Sequence, residues 1–234
     1  MIDLGSTEFY LAVPSVPEEK LRRLSSSLFD SWEAYVGSSL SLEDYSLFLQ
    51  VEEGSVNGIA RIGALLGVLY IGIGNYGSFV SGIKTIGEQI GATSDFLTER
   101  AGTVFSCPDS QATTRKRGGT IPALQRLFAK VQRGELTPEE AIVRAEDLLG
   151  EDGASSPGFM HDLVESLHNC PRHHEQQLLE LAEEPDSIDP VVGRTPQKPR
   201  LPRSTPDLGP LLHLRVEVWR DSKKKRKHTR VVKL

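Results

Sequence analysis

The sequence has little cysteine and no leader-like start. Only two of its 234 residues are cysteines, too few to staple a small secreted scaffold, and this scarcity is typical of proteins kept in a reducing compartment. The first ten residues, MIDLGSTEFY, lack the positive charge and the apolar run of a secretory signal. The sequence therefore predicts a cytoplasmic protein, and membrane association depends on the segments considered below.

Recognisable catalytic patterns are also missing. No Ser/His/Asp or Cys/His set can be assigned from spacing, because such groups come together only in the fold. Gly72, Gly74 and Gly77 match the spacing of a dinucleotide-binding loop, with Asp95 as the acidic partner. The alternating strands and helices of that fold do not follow, however. We therefore expect a non-enzymatic protein that uses no cofactor.

Charge is absent from one long stretch of the chain. No charged residue occurs between Arg61 and Lys84, and the 22 residues in between could cross a bilayer as a helix, which needs about 20. Two glycines in this stretch have the GxxxG spacing that lets helices approach closely in lipid. The alternative is a buried strand end, a glycine-rich turn and the start of an amphipathic helix in a soluble core.

We predict that this apolar segment, residues 62–83, associates with a second copy of the chain, with another protein or with a membrane. The predicted contact face consists of Gly63, Leu65, Leu66, Gly67 and Leu69. Two features weigh against membrane insertion. Each glycine weakens a helix by about 1 kcal/mol relative to alanine, and Asn75 near the centre of a span is costly unless it is paired.

Charge of one sign dominates each region of the remaining sequence. Residues 1–110 contain 6 Lys and Arg against 14 Asp and Glu, whereas residues 194–234 contain 13 against 3. Such a basic end either docks on the protein's own acidic surface or binds a polyanion such as nucleic acid. The basic candidates are Arg220, Lys223, Lys224, Lys225, Arg226 and Lys227. A nucleic-acid-binding adaptor is therefore the alternative function. Only one aromatic residue, Trp219, lies beside the basic run, and one ring is too few for a stacking surface.

A histidine cluster is the only candidate for metal binding. His161, His168, Cys170 and His173 offer the nitrogen and sulfur ligands that zinc prefers. Their spacing matches no standard zinc signature, and the other interpretation is a solvated polar end of a helical hairpin. Whether a metal binds is left open at this point.

The apolar periodicity predicts an α+β fold. Residues 8–13 are short and β-prone, residues 18–36 have helical spacing, and residues 44–62 alternate as a two-strand hairpin. These elements predict a small mixed or antiparallel sheet packed on an N-terminal helix, with a Gly-rich apolar helix and a helical insertion. The C-terminal hairpin is a candidate for the same sheet, where its positive charge would meet the acidic body.

Composition divides the chain into five regions. They are an α+β body at 1–101 that includes the apolar segment, a linker at 102–120, helical hairpins at 121–184, a proline-rich tether at 185–210 and a basic β-hairpin at 211–234. Within the helical region, Thr137 and Glu140 have the spacing of a capping box.

Overall fold

Helices and strands follow one another irregularly along the chain, as in an α+β protein. The computed structural model describes residues 1–53, 56–107, 112–171 and 214–234. Its strands are β1 (Ile2–Leu11), β2 (Ser46–Glu52), β3 (Val56–Ala64), β4 (Ala112–Arg117), β5 (Leu214–Arg220) and β6 (His228–Lys233). Its helices are α1 (Glu18–Ser39), α2 (Leu66–Gly74), α3 (Phe79–Phe105), α4 (Thr120–Gln132), α5 (Pro138–Ala154) and α6 (Pro157–His168). The predicted α+β class is confirmed.

The six strands form one antiparallel sheet in the order β4-β1-β3-β2-β5-β6. Successive side chains alternate between its two faces. On β2, Leu47, Leu49 and Val51 are buried, whereas the residues between them are only half-buried. This alternation is typical of a sheet that packs one face on a core. We call the side that carries Leu47, Leu49 and Val51 the inner face and the opposite side the open face.

Two long helices pack on the inner face. α1 starts after Pro17, and a proline suits a helix start because the first N–H groups have no intrahelical acceptor. Its apolar stripe buries Leu28 and Trp32 against the sheet. α3 lies beside α1, and the rings of Tyr35 and Phe96 stack between them with centroids 4.1 Å apart. The predicted helix over residues 18–36 thus covers the sheet as expected.

The C-terminal hairpin belongs to this sheet. β5 pairs with β2, with Leu49 opposite Val218 and Val51 opposite Val216, and β6 forms the edge. Val216 and Val218 are fully buried. Burial of a valine contributes about 1.5 kcal/mol or more. The hairpin is therefore part of the hydrophobic core, and its basic end is held against the acidic body.

The apolar segment does not form one helix. It comprises the end of β3, the nine-residue α2, a turn and the start of α3. Gly77, in the turn between α2 and α3, has a φ of +78°, a conformation that glycine adopts without steric cost, so the chain changes direction there. Among the described residues, no single helix combines the length and the apolar character of a membrane span, and α2 with α3 would qualify only as a pair bent by 109°.

The predicted linker at 102–120 contains regular structure. α3 continues to Phe105, and β4 pairs with β1 at the sheet edge before α4 begins at Thr120. The expectation of aperiodic chain is wrong for β4. Its residues, ATTRKR, have no apolar alternation, because an edge strand is specified by its backbone ladder more than by burial.

Within the described residues, helices α4, α5 and α6 follow β4, in the region that the sequence predicts to be helical. Thr137 caps α5: the Glu140 N–H donates to Thr137 Oγ1 at 3.2 Å, and the Thr137 N–H donates to a Glu140 carboxylate oxygen at 3.0 Å. The predicted capping box is confirmed. A predicted helix at 172–184 and the tether at 185–210 lie outside the described residues.

Candidate functional site

The connection between β5 and β6 presents the basic residues at one end of the sheet. This basic loop, residues 221–227, is exposed at Lys223, Lys224, Lys225 and Arg226 and half-buried at Lys227. Because β5 and β6 are tied into the sheet, the loop is held at a fixed position beside α1. Its location relative to α1 determines which of the six basic candidates remain open to a partner.

Two of the six candidates pair with acidic residues of α1. Arg220 Nε lies 2.8 Å from a carboxylate oxygen of Glu33, and neither side chain is more than a quarter exposed. Lys227 Nζ lies 2.5 Å from an Asp30 carboxylate oxygen and 2.8 Å from Ser26 Oγ. Burial raises the pKa of Glu33, and the charge of Arg220 opposes that rise. Arg220 and Lys227 therefore hold the hairpin on α1.

The loop itself is pinned by Asp44. The Lys223 N–H donates to Asp44 Oδ1 at 2.8 Å, and the Tyr45 N–H donates to the same oxygen at 2.9 Å. Partial burial raises the pKa of Asp44, but hydrogen bonds from the Ser222 side chain and these two backbone groups outweigh it, so the pKa lies below its ordinary value. The Lys223 ammonium lies 5.6 Å from the centre of the Tyr45 ring, within cation–π range.

Three cations are left at the tip of the loop: Lys224, Lys225 and Arg226, hereafter the tip cations. All three side chains are exposed. Within the part of the chain that the structure describes, none of them forms an ion pair. The charge of Lys224 contributes to the lowered pKa of Asp44, which marks the positive potential around the loop. The tip cations are the part of the basic cluster that can bind an anion.

A groove continues this basic surface along α1. It has a volume of about 780 Å³ and is open to solvent. Its lining includes three cations of α1, two acids and several hydroxyl groups: Lys20, Arg22, Arg23, Glu19, Asp30, Ser26, Ser27 and Ser31 of α1, and Thr229 of β6. Arg22 pairs with Glu19 at 3.3 Å. Because Ser26 and Asp30 also contact Lys227, the groove and the basic loop form one continuous surface that carries several cations and hydroxyl groups.

Aromatic side chains adjoin the loop on the open face. The sheet register places Phe48 opposite Trp219, and Trp219 opposite His228. The Trp219 and His228 rings stack with centroids 5.4 Å apart and planes 21° from parallel. We call these three residues the aromatic row. The sequence shows only Trp219 next to the basic run, because Phe48 arrives through a strand pairing that spans about 170 residues of chain.

The five residues of the predicted self-association face do not share one surface. Gly63 belongs to β3, and the other four lie at the start of α2. Leu66 and Leu69 are buried in the core, whereas Leu65 is 55% exposed and Gly67 is open to solvent. The two glycines occupy different elements and two of the leucines fill the core, so the five residues are not arranged as one GxxxG helix face.

The glycines with dinucleotide-loop spacing do not form such a loop, in agreement with the argument from the sequence. Gly72 and Gly74 lie within α2 and not in a turn between a strand and a helix. At Gly72, a Cβ would lie 2.4 Å from a methyl carbon of Leu42. Close packing thus accounts for Gly72 without a phosphate.

The three described members of the histidine cluster do not converge on one point. His161 Nε2 lies 3.9 Å from Glu165 on the same helix, and His168 Nδ1 lies 3.9 Å from Glu139 on α5. The Cys170 thiol faces the carbonyl of Phe128 at 4.0 Å. His173 lies outside the described residues. The one described group with metal-compatible geometry is His161 with Asp162 and Glu165, and it is an exposed helix surface of ordinary composition.

Comparisons with known proteins give no relative for this chain. No protein-family model matches it, and neither the curated proteins nor the solved structures include a significant match.

Proposed function

We propose that this protein binds nucleic acid through the basic loop and the adjoining groove, acting as an adaptor and not as an enzyme. The observation that carries the proposal is the exposure of the tip cations at the end of an anchored hairpin. Phosphate groups bind such cations with release of condensed counterions, which supplies affinity without base recognition.

The anchoring of the hairpin favours binding over a purely structural role. Arg220 and Lys227 suffice to join the hairpin to α1, and Asp44 fixes the loop backbone. Of the tip cations, only Lys224 acts on these contacts, through the effect of its charge on Asp44. A charged group held in place loses little conformational freedom on binding, so each phosphate contact costs less than it would from a mobile tail.

The test replaces all three tip cations with serine and measures binding of a 20-base-pair DNA duplex at several salt concentrations. Three phosphate contacts contribute roughly −3 to the slope of log K against log[salt]. We expect weaker binding and a slope shallower by about that amount. The matched control replaces Lys84 of α3, Arg144 of α5 and Arg133, the residue after α4. All three are exposed cations, and their replacement changes the net charge equally. Equal slopes for the two triple variants would contradict the proposal.

A second candidate function is self-association through the exposed side of α2. Leu65 and Ile71 are 55% and 57% exposed, and exposed apolar residues on one helix favour contact with a partner. This retains the predicted role of the apolar segment but assigns it to residues that the core leaves free. Changing Ile71 to Ser should reduce the oligomer mass measured by light scattering. A wild-type mass equal to that of one chain would exclude this candidate.

A further inference from the structure

The aromatic row lies on the open face of the sheet, next to the basic loop. Trp219 and His228 flank the loop directly in sequence, and Phe48 is the cross-strand neighbour of Trp219. Arg61 of β3 stands opposite Phe48, at the far end of the same row. One line across four strands thus carries a cation and three rings, and the tip cations lie at its other end.

The ring geometry leaves one stacking surface open. Trp219 and His228 are nearly parallel, and β6 is the edge strand. His228 is exposed, so its ring surface directed away from Trp219 is open at the edge of the sheet. A planar group placed there continues the stack. Nucleobases stack on aromatic side chains in this manner, and each stacked base contributes about 1–3 kcal/mol.

The charges of the open face do not oppose an anion. Glu52 pairs with Arg215 at 2.6 Å, and Glu217 pairs with Arg230 at 2.7 Å. Arg61 is exposed at the rim of a shallow cavity of about 330 Å³ that Phe48 and Asp3 also line. Burial raises the pKa of Asp3, and the charge of Arg61 opposes that rise. Glu52, Glu217 and Asp3 thus each lie near an arginine, and the row itself carries no acid.

We propose that the aromatic row and the tip cations together bind single-stranded nucleic acid, with a base extending the Trp219–His228 stack on the open side of His228 while the phosphates follow the basic loop. This inference rests on the proposed function and narrows it, because a duplex keeps its bases stacked on one another and cannot offer them to the row. The site reads no base edges, so it tolerates any sequence.

Tryptophan fluorescence separates stacking from phosphate binding. The chain has two tryptophans; Trp32 is 2% exposed in the core, and Trp219 is half-buried beside the loop. Three probes are titrated into the full-length protein: a twelve-nucleotide oligothymidylate, a duplex of twelve base pairs, and polyphosphate, which has no bases. We expect all three to bind and only the oligothymidylate to quench the fluorescence of Trp219.

A variant at the exposed end of the stack gives the decisive comparison. His228→Ala should weaken binding of the oligothymidylate by about tenfold and leave polyphosphate binding unchanged. His228→Phe keeps an aromatic ring and should bind the oligothymidylate as tightly as the wild type does. Because His228 is exposed on an edge strand, both variants keep the core intact. Equal affinity of the wild type and His228→Ala for the oligothymidylate, or binding without quenching, would overturn this inference and leave the proposed function standing. Failure of all three probes to bind would overturn both.

Discussion

The apolar segment and the basic loop are the two regions that the composition marks as unusual, and the fold uses them in opposite ways. The apolar segment resembles a contact surface but delivers Leu66, Leu69 and Ile73 to the core. The basic loop resembles a solvated turn, yet the hairpin that carries it docks on α1 through two ion pairs and leaves the tip cations exposed. The absence of charge in a segment therefore does not show whether its side chains are exposed. Within a run of charged residues, some side chains can form ion pairs in the fold while others stay exposed.

We expect the largest loss of stability from a substitution in the apolar segment. Replacing Leu69 with Ala removes a fully buried side chain, and such a change costs about 2–5 kcal/mol through lost burial and the remaining cavity. Ile71 on the same helix is 57% exposed, so Ile71→Ala should cost less than about 0.5 kcal/mol. Urea unfolding followed by circular dichroism measures both. Equal losses would mean that α2 does not pack as described.

We expect a smaller loss of stability from a substitution that releases the basic loop. The pKa of Asp44 is lowered in the folded protein, so its carboxylate stabilises the fold above the ordinary pKa of 3.8, and the contribution is lost as the pH falls below that value. Replacing Asp44 with Asn should lower the free energy of unfolding by about 1 kcal/mol at pH 7. Hydrogen bonds to a buried charged group contribute more than this and those to an exposed one contribute less, and Asp44 is half-buried.

The pH dependence distinguishes this cause from a general loss of packing. The difference in unfolding free energy between the wild type and Asp44→Asn should shrink as the pH is lowered from 6 to 3 in denaturant titrations. Asp221→Asn removes an exposed acid from the same loop and serves as the control, with an expected change below about 0.5 kcal/mol. A gap between wild type and Asp44→Asn that persists at pH 3 would assign the loss to packing and not to the charge.

Local patterns carried most of the fold. The stripe on α1, the alternation on β2 and the capping box at Thr137 are short-range signals, and each corresponds to an observed element. β4 escaped prediction because an edge strand needs no apolar period. The sequence left open whether the apolar segment is one spanning helix or a strand end, a turn and the start of a helix, because periodicity cannot distinguish a buried strand end followed by a short helix from a continuous apolar helix.

The candidate site was predictable in its charges and not in its geometry. The basic residues are visible as a run, but the acids that neutralise Arg220 and Lys227 lie about 190 residues earlier in the chain. The same holds for Phe48 and its pairing with Trp219. Nothing in a single sequence indicates which distant strands become neighbours, so the division between anchoring cations and free cations appears only in the fold.

The position of β5 in the sheet has a consequence for biosynthesis. β2 is bordered by β3 on one side and by β5 on the other, and β5 starts at Leu214. During translation β5 is synthesised about 160 residues after β2. At 5–20 residues per second, β2 therefore lacks its second neighbouring strand for roughly 10–30 s. Throughout that interval the nascent chain carries an unpaired strand beside exposed apolar side chains, the situation in which chaperones bind. The hairpin that holds the basic loop is therefore also the step that completes the sheet.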